Sequence, residues 1–322
     1  MSFSFSRTAA LLSLLLITTA GFLAQGLSAT SADSIQQDLV TGHAQDALNR
    51  ITSVLSQNPQ DAVALELRCR VLLQERQWSA AVSSCQAAVA KAPQSSEAHY
   101  WLGRAYGEEA QRAPRITAFL LARKLDAEFQ QAVALDPSNL AAYEALGQFD
   151  LQAPAIAGGG LGKARAIVNK LRPLSPAAAH ALAAGIAESE KNYSLAEQEW
   201  KAEIATSQDP AEAWMDLAGF YHRRGDIDAM VRAVETGVAI DKQHTIARVD
   251  AAHLLIQTGR NLPEAAQWLR EYLASSHKSE DAPAFAIHTQ LAALLNRMGQ
   301  TAEAQEQMAM AESLAPGYKP RS

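Results

Sequence analysis

Between Ala211 and Lys242 the apolar positions fall into two runs of helical period separated by a break. Trp214, Leu217, Ala218 and Tyr221 share one face, Gly225 and Asp226 interrupt it, and Met230, Val234 and Gly237 line a second face before Asp241. Spacings of three and four residues within each run predict two helices, and the Gly-Asp step predicts the turn between them. The same two-run unit recurs along the chain. Leu65, Cys69 and Leu72 are followed by Ala81, Cys85, Ala88 and Pro93. Leu102, Gly103 and Tyr106 open a unit that resumes at Leu125, Phe129 and Ala132 and closes at Pro137. Tyr143, Leu146 and Gly147 pair with Ala164, Val168, Leu171 and Pro176, and Leu182 and Ala184 pair with Ala196 and Trp200. Ala251, Leu254 and Gly259 precede Pro263, Ala266 and Leu269, and His288, Leu291, Ala292 and Leu295 precede Gly299, Ala304, Met308, Ala311 and Pro316. A degenerate first unit has a short helix around Asp33 to Thr41, the Gly42-His43 turn, and Ala47, Ile51, Val54 and Pro59. Eight helical hairpins thus account for residues 33–322, no strand-like alternation occurs, and the chain is predicted to be all-α.

Residues 1–32 follow a different pattern. Arg7 supplies one positive charge, Ala9 to Ala24 is mostly apolar around Leu11, Leu12, Leu14, Leu15, Leu16 and Ile17, and Gly26, Ser28, Ala29, Ser31 and Ala32 are small. This is the layout of a secretory signal peptide, with cleavage after Ala29 or Ala32. The apolar stretch is shorter than a spanning helix and is interrupted by Ser13, Thr18, Thr19 and Gly21. The expectation is an exported chain, periplasmic or secreted, with no transmembrane segment in its mature form.

The repeated unit resembles the tetratricopeptide repeat, a helix–turn–helix of about 34 residues. Small residues let the two helices approach, bulky ones fill the gap to the next hairpin, and stacked neighbours bury what one hairpin leaves exposed. The resemblance implies a right-handed superhelical solenoid whose first helices line a concave groove for a peptide or protein partner. The matching positions here are Glu66, Arg70, Glu97, Tyr100, Arg104, Glu144, Gln148, Glu212, His222, Arg223, Arg248 and Arg297. The Lys/Asn set with which some members clamp a C-terminal carboxylate is absent. Arg70 and Arg104 hold the same position in consecutive repeats and are expected side by side along the groove.

Two units depart from the period, both between their first and second helices. The third gains residues near 108–122, where Ile116, Phe119, Leu120, Leu125, Phe129 and Ala132 are read as one apolar face. The fourth gains residues near 152–162, ending in Gly158, Gly159 and Gly160. Equivalent turns of adjacent repeats lie on one edge of a solenoid, so the two insertions are expected to touch, with Ala155 and Ile156 covering the apolar face. Gly158 to Lys163 fails the Walker pattern, because Ala157 stands at its first Gly and Ala164 follows the Lys. Two readings of the loop stay open: a tight, φ-positive path over its neighbour, or an anion site at a helix start formed by Gly158, Gly159, Gly160 and Lys163.

Composition narrows the function further. The net charge is −6 and no basic run occurs, which argues against nucleic acid and against the RNA-binding pentatricopeptide alternative. The eight histidines show no metal-ligand spacing, and His99, His180 and His288 share one repeat position, as packing residues would. No nucleophile elbow is present, so neither enzyme, metal nor cofactor is predicted. Cys69 and Cys85 sit on the two helices of one hairpin, equidistant from its turn near Gln77. They are expected to face each other, either as a disulfide in an oxidising compartment or as two small packed side chains. The chain is therefore expected to be an exported interaction scaffold; the alternative is binding of a small anionic ligand or envelope polymer at the inserted edge, 108–163.

Overall fold

The computed structural model describes residues 27–320. Sixteen α-helices form eight consecutive antiparallel hairpins, with no strand among the described residues. In chain order the hairpins are α1 (Ala29–Thr41) with α2 (Ala44–Gln57), α3 (Ala62–Gln74) with α4 (Trp78–Lys91), α5 (Ser96–Ala110) with α6 (Arg115–Leu135), and α7 (Leu140–Gln152) with α8 (Leu161–Leu171). They continue as α9 (Pro176–Ser189) with α10 (Tyr193–Thr206), α11 (Pro210–Arg224) with α12 (Ile227–Ile240), α13 (Ile246–Thr258) with α14 (Leu262–Ala274), and α15 (Ala284–Arg297) with α16 (Thr301–Leu314). The fold is an array of consecutively packed helical hairpins, the architecture that the resemblance to the tetratricopeptide repeat implies. Most of the signal-peptide expectation lies outside the described residues; the bonds after Ala29 and Ala32 fall in the first turn of α1, which Ser28 caps.

Local chemistry explains the period. Between repeats, the Asp61, Ser95 and Asn139 amides donate to the carbonyls of Asn58, Ala92 and Asp136, closing the same turn three times around Pro59, Pro93 and Pro137. The side chains of Asp61, Ser95 and Asn139 then accept from the amides of Ala64, Ala98 and Ala142, satisfying helix-start N–H groups. Within hairpins, the turn passes through a left-handed residue in six cases: Gly42, Arg76, Lys191, Gly225, Gly259 and Gly299. The third hairpin has no such residue, and in the fourth the positive-φ residues Gly158 and Gly160 follow an inserted turn; these are the two hairpins with inserted residues. Small residues set the helix spacing. A Cβ on Gly103 would lie 2.4 Å from Phe129 of α6, and one on Gly237 would lie 2.3 Å from Met215 of α11.

The inserted residues of the third hairpin lengthen α6 to 21 residues. Its buried face is Leu121, Leu125, Phe129 and Ala132, whereas Ile116 and Leu120 are solvent-exposed. The expected face was therefore misplaced at its N-terminal end. In the fourth hairpin a 3-10 turn, Ala155–Ala157, packs on the lengthened α6, and the Gly158 that follows it lies against Asp126. The turn's covering residue is Ala157, not Ile156, which is 76% exposed. Cys69 and Cys85 are joined in a disulfide between α3 and α4, with Cα atoms 5.3 Å apart. A bridge closing a loop of this size contributes about 3 kcal/mol in the chain-entropy model.

The array closes on itself. Phe285 of α15 is fully buried in one cluster with Ile35, Leu39, Ile51 and Val71 from the first two hairpins and Ala311 and Ala315 from the last. Tyr318 packs at a tilt against Phe285 with ring centroids 4.9 Å apart, and the Lys319 amide donates to the Glu75 carbonyl. Gln74 Nε2 bridges the carbonyls of Leu39 and Glu280, at 3.1 and 2.9 Å. Gly42 marks the closest approach, because a Cβ there would lie 2.3 Å from the backbone nitrogen of Ala284. Gly225 has the same left-handed conformation with open space around it. Gly225→Ala therefore measures backbone strain alone, about 1–2 kcal/mol, while Gly42→Ala also disrupts the seam. Gly42→Ala is expected to lower the melting temperature more than Gly225→Ala and to enlarge the radius of gyration in small-angle scattering. Equal effects from the two variants would mean that the ends do not meet in solution.

Candidate functional site

Closure turns the concave face into an interior. Its seam side is narrowed by the chain itself to a pocket of about 180 Å³. The Arg70 guanidinium donates to both carboxylate oxygens of Glu280, at 3.0 and 2.6 Å, and stands 3.7 Å from Glu66. Arg104 reaches Asp281 at 3.1 Å. Both guanidinium groups lie 4.8 Å from the centre of the Trp101 ring, whose Nε1 donates to Glu97, and Arg104 also faces Tyr100. Arg70 and Arg104 are thus neighbours along the groove, but Glu280 and Asp281, in the loop between α14 and α15, hold them. These two acids carry no periodic signal, and sequence reasoning missed them. Charge reversal at Arg70 and Arg104 would consequently strike the seam as well as the groove.

Other groove positions divide. Arg223 pairs with Glu188 through two hydrogen bonds, 3.0 and 2.8 Å, and Glu188 also accepts from Trp200 Nε1. Arg248 is not a groove residue: it is buried, reaching Asp241 at 3.3 Å and pairing with Glu271, and it ties α13 to α14. Arg297 donates to the Ile256 carbonyl. The histidines at the shared repeat position make polar bridges across their hairpins: His99 to Glu128, His180 to Glu199 and His288 to Gln307.

Opposite the seam the interior is open. A recess of about 590 Å³ lies among α7, α9, α10 and α11, and the predicted groove residues Glu144 and Gln148 line it. Leu140, Leu174, Pro176, Ala181, Leu182 and Trp200 form its apolar walls. Glu203, Glu212 and Asp216 complete it, and its lining includes no lysine, arginine or histidine. Glu203 is 7% exposed, and its Oε2 atom has no hydrogen-bond donor. Its carboxyl faces that of Asp216, so burial and then the Asp216 charge push Glu203 well above the ordinary carboxylate range.

The raised acids extend around the interior. Burial, with Glu97 adding to it, pushes Glu66 to about 7; burial, with Asp216 and Asp281, pushes Asp250 to about 6. Glu212 is pushed to about 7 by the enclosing walls and then by Asp209 and Asp250, although water reaches its side chain and screens it.

The inserted edge offers an anion little. Lys163 Nζ donates to the Gly158 carbonyl at 2.5 Å and stands 3.9 Å from Asp126, and Arg165 pairs with Glu190. The Gly160 amide donates to the Asp150 carbonyl at 2.7 Å. Gly158 and Gly160 have positive φ, and a Cβ on Gly159 would lie 2.2 Å from the Ala153 carbonyl oxygen. The glycines serve a tight path over α6. An incoming anion would also meet Asp126 and Asp150, the latter 2% exposed and pushed by burial to about 6.

No protein-family model matches the chain, and no curated protein sequence matches it. Among solved structures, it is similar to a thermophilic TPR protein of Thermus thermophilus, at 19% identity and a TM-score of 0.46, over 70% of this chain and 98% of that one. It is also similar to the Cut9–Hcn1 hetero-tetramer of the APC/C, at 14% identity and a TM-score of 0.41, over 88% of this chain and 52% of that one. A third similarity is to YrrB, described as a TPR protein with an unusual peptide-binding site, at 14% identity and a TM-score of 0.38, over 63% of this chain and 96% of that one.

The acids set a pH dependence. Glu66 and Asp250 hold protons more tightly in the folded chain than at their ordinary values of 4.5 and 3.8. The folded state therefore binds more protons than the unfolded chain in that window, and stability falls as pH rises through it. Asp150 and Glu203 act in the same direction, while His288, pushed down by burial, acts oppositely. The melting temperature is expected to fall between about pH 5 and about pH 8, the window these groups span. A differential scanning calorimetry series in which it rises across that interval would contradict the enclosed acidic interior.

Proposed function

We propose that this chain is an exported interaction scaffold that captures a peptide or protein segment in the recess of its inner face. The observation that carries this reading is the recess itself. Near the seam Glu280 and Asp281 of the chain's own loop engage Arg70 and Arg104 and leave a pocket of about 180 Å³, whereas among α7, α9, α10 and α11 an opening of about 590 Å³ remains. It combines apolar walls with a few polar groups, the usual composition of a binding cleft. No catalytic constellation is part of the reading. Export is supported by the n-region, apolar region and small residues of 1–32, and by a disulfide suited to an oxidising compartment.

A photo-crosslinker in place of Gln148 is expected to capture the partner in envelope extract, and Ala177→Trp, which fills the recess, is expected to abolish capture at unchanged melting temperature. Undiminished capture by Ala177→Trp would move the site elsewhere. Separately, N-terminal sequencing of chain recovered from the envelope should begin at Thr30 or Asp33. An intact Met1 on chain confined to the cytosol would overturn the export assignment.

A further inference from the structure

The recess has a charge balance that selects its occupant. Glu144, Glu203, Glu212 and Asp216 line it, and none of them forms an ion pair among the described residues. The nearby cations are paired elsewhere: Arg223, whose charge reaches Asp216, by Glu188, and Arg70 and Arg104 by Glu280 and Asp281. Glu203 stands apart from the others because it is more than nine-tenths buried, lines the recess, and has an Oε2 atom that no donor of the chain reaches. Two carboxyl groups in contact, Glu203 and Asp216, need a shared proton or an outside cation between them. A buried acceptor left without a donor costs free energy that a ligand donor would recover.

We propose that the recess receives the cationic side chains of a lysine- or arginine-bearing polypeptide segment, with the Glu203–Asp216 pair holding the first ammonium or guanidinium group. This rests on the scaffold reading above and names the chemistry of its partner. The walls suit such side chains, since Leu174, Pro176 and Trp200 can cover an aliphatic stem while the charged head meets the acids. A polypeptide fits better than a single small cation because the carboxylates continue past the recess. Asp250 on α13 lies close enough to Asp216 and Asp281 to feel both charges, and Glu66 on α3 feels Glu97 and Glu280. Several cations strung along one chain match that row; one amine does not. An acidic segment would meet uncompensated like charge throughout.

The test uses the full chain and a fluorescein-labelled peptide of alternating lysine and alanine, followed by fluorescence anisotropy. Wild type is expected to bind it, and to bind the acetyl-lysine version about tenfold or more weakly, because acetylation removes the charge. Glu203→Gln combined with Asp216→Asn is expected to weaken binding of the lysine peptide about tenfold or more. The same double variant is expected to melt at an equal or higher temperature, because it removes like charge facing the buried Glu203 carboxyl, so lost binding is not lost folding. Equal affinity of the double variant and wild type would overturn the assignment of this pair. Displacement of the peptide by free spermine at the same concentration as by unlabelled peptide would overturn the polypeptide as the occupant. Failure of the lysine peptide to bind, with capture from Gln148 intact, would overturn the charge assignment and leave the scaffold reading standing.

Discussion

The structure depends on the seam where the last hairpin meets the first two. An open solenoid has two ends, each exposing an apolar face that a polar cap must cover. Here Phe285 enters the cluster formed by Ile35, Leu39, Ile51 and Val71, so one end covers the other. The polar half of the seam works with it. Arg70 is buried at 7% exposure, and its bidentate pairing to Glu280, with Gln74 holding the Glu280 carbonyl, leaves that charge neither unpaired nor free to move. Breaking such a buried pair on one side costs far more than the pair contributes as a whole. The seam is therefore a constraint on geometry more than a store of stability.

Closure produces the electrostatics of the interior. On an open concave face, acids such as Glu66 and Asp250 would be well hydrated. Enclosed by the ring, they lose water and feel neighbouring acids, Glu97 and Glu280 beside Glu66 and Asp216 and Asp281 beside Asp250, and both effects raise their proton affinity. The cations do not offset this evenly, because Arg70 and Arg104 cluster at the seam with Glu280 and Asp281. On the side opposite, Glu144, Glu203, Glu212 and Asp216 of the recess form no ion pair among the described residues. One event, the meeting of the ends, thus yields both a neutralised, narrowed arc and an acidic, open one.

What the sequence made legible was whatever repeats. The hairpins, the capping residues after Pro59, Pro93 and Pro137, and the small residues at Gly103 and Gly237 recur at a fixed period, so each supports the others. What it hid was whatever happens once. Glu280 and Asp281 sit in a loop with no period, and their partners are about two hundred positions away in the chain. Glu203 lies on a second helix, outside the positions that the resemblance assigns to a groove, and only the packing of α10 against α11 brings it to Asp216. The α6 face was misread because Ile116, Phe119, Leu120 and Leu121 are all apolar, so composition could not set the register. Arg248 matched a groove position, yet Asp241 and Glu271 draw it into the wall.

The same accounting bears on how binding would couple to the fold. Carboxylates held protonated, or ionised without partners, make the closed state less stable than its apolar packing alone would allow. A cation that binds only the closed form shifts the equilibrium toward it by mass action. Proteins keep strained or uncompensated groups where a ligand relieves them, and the surrounding structure must hold them in place until it does. In this chain the holding is done by the disulfide between α3 and α4 and by the Arg70–Glu280 clasp, both on the seam side. The recess can then carry the buried Glu203 and its unpaired neighbours because the elements that fix the ring's shape lie elsewhere on it.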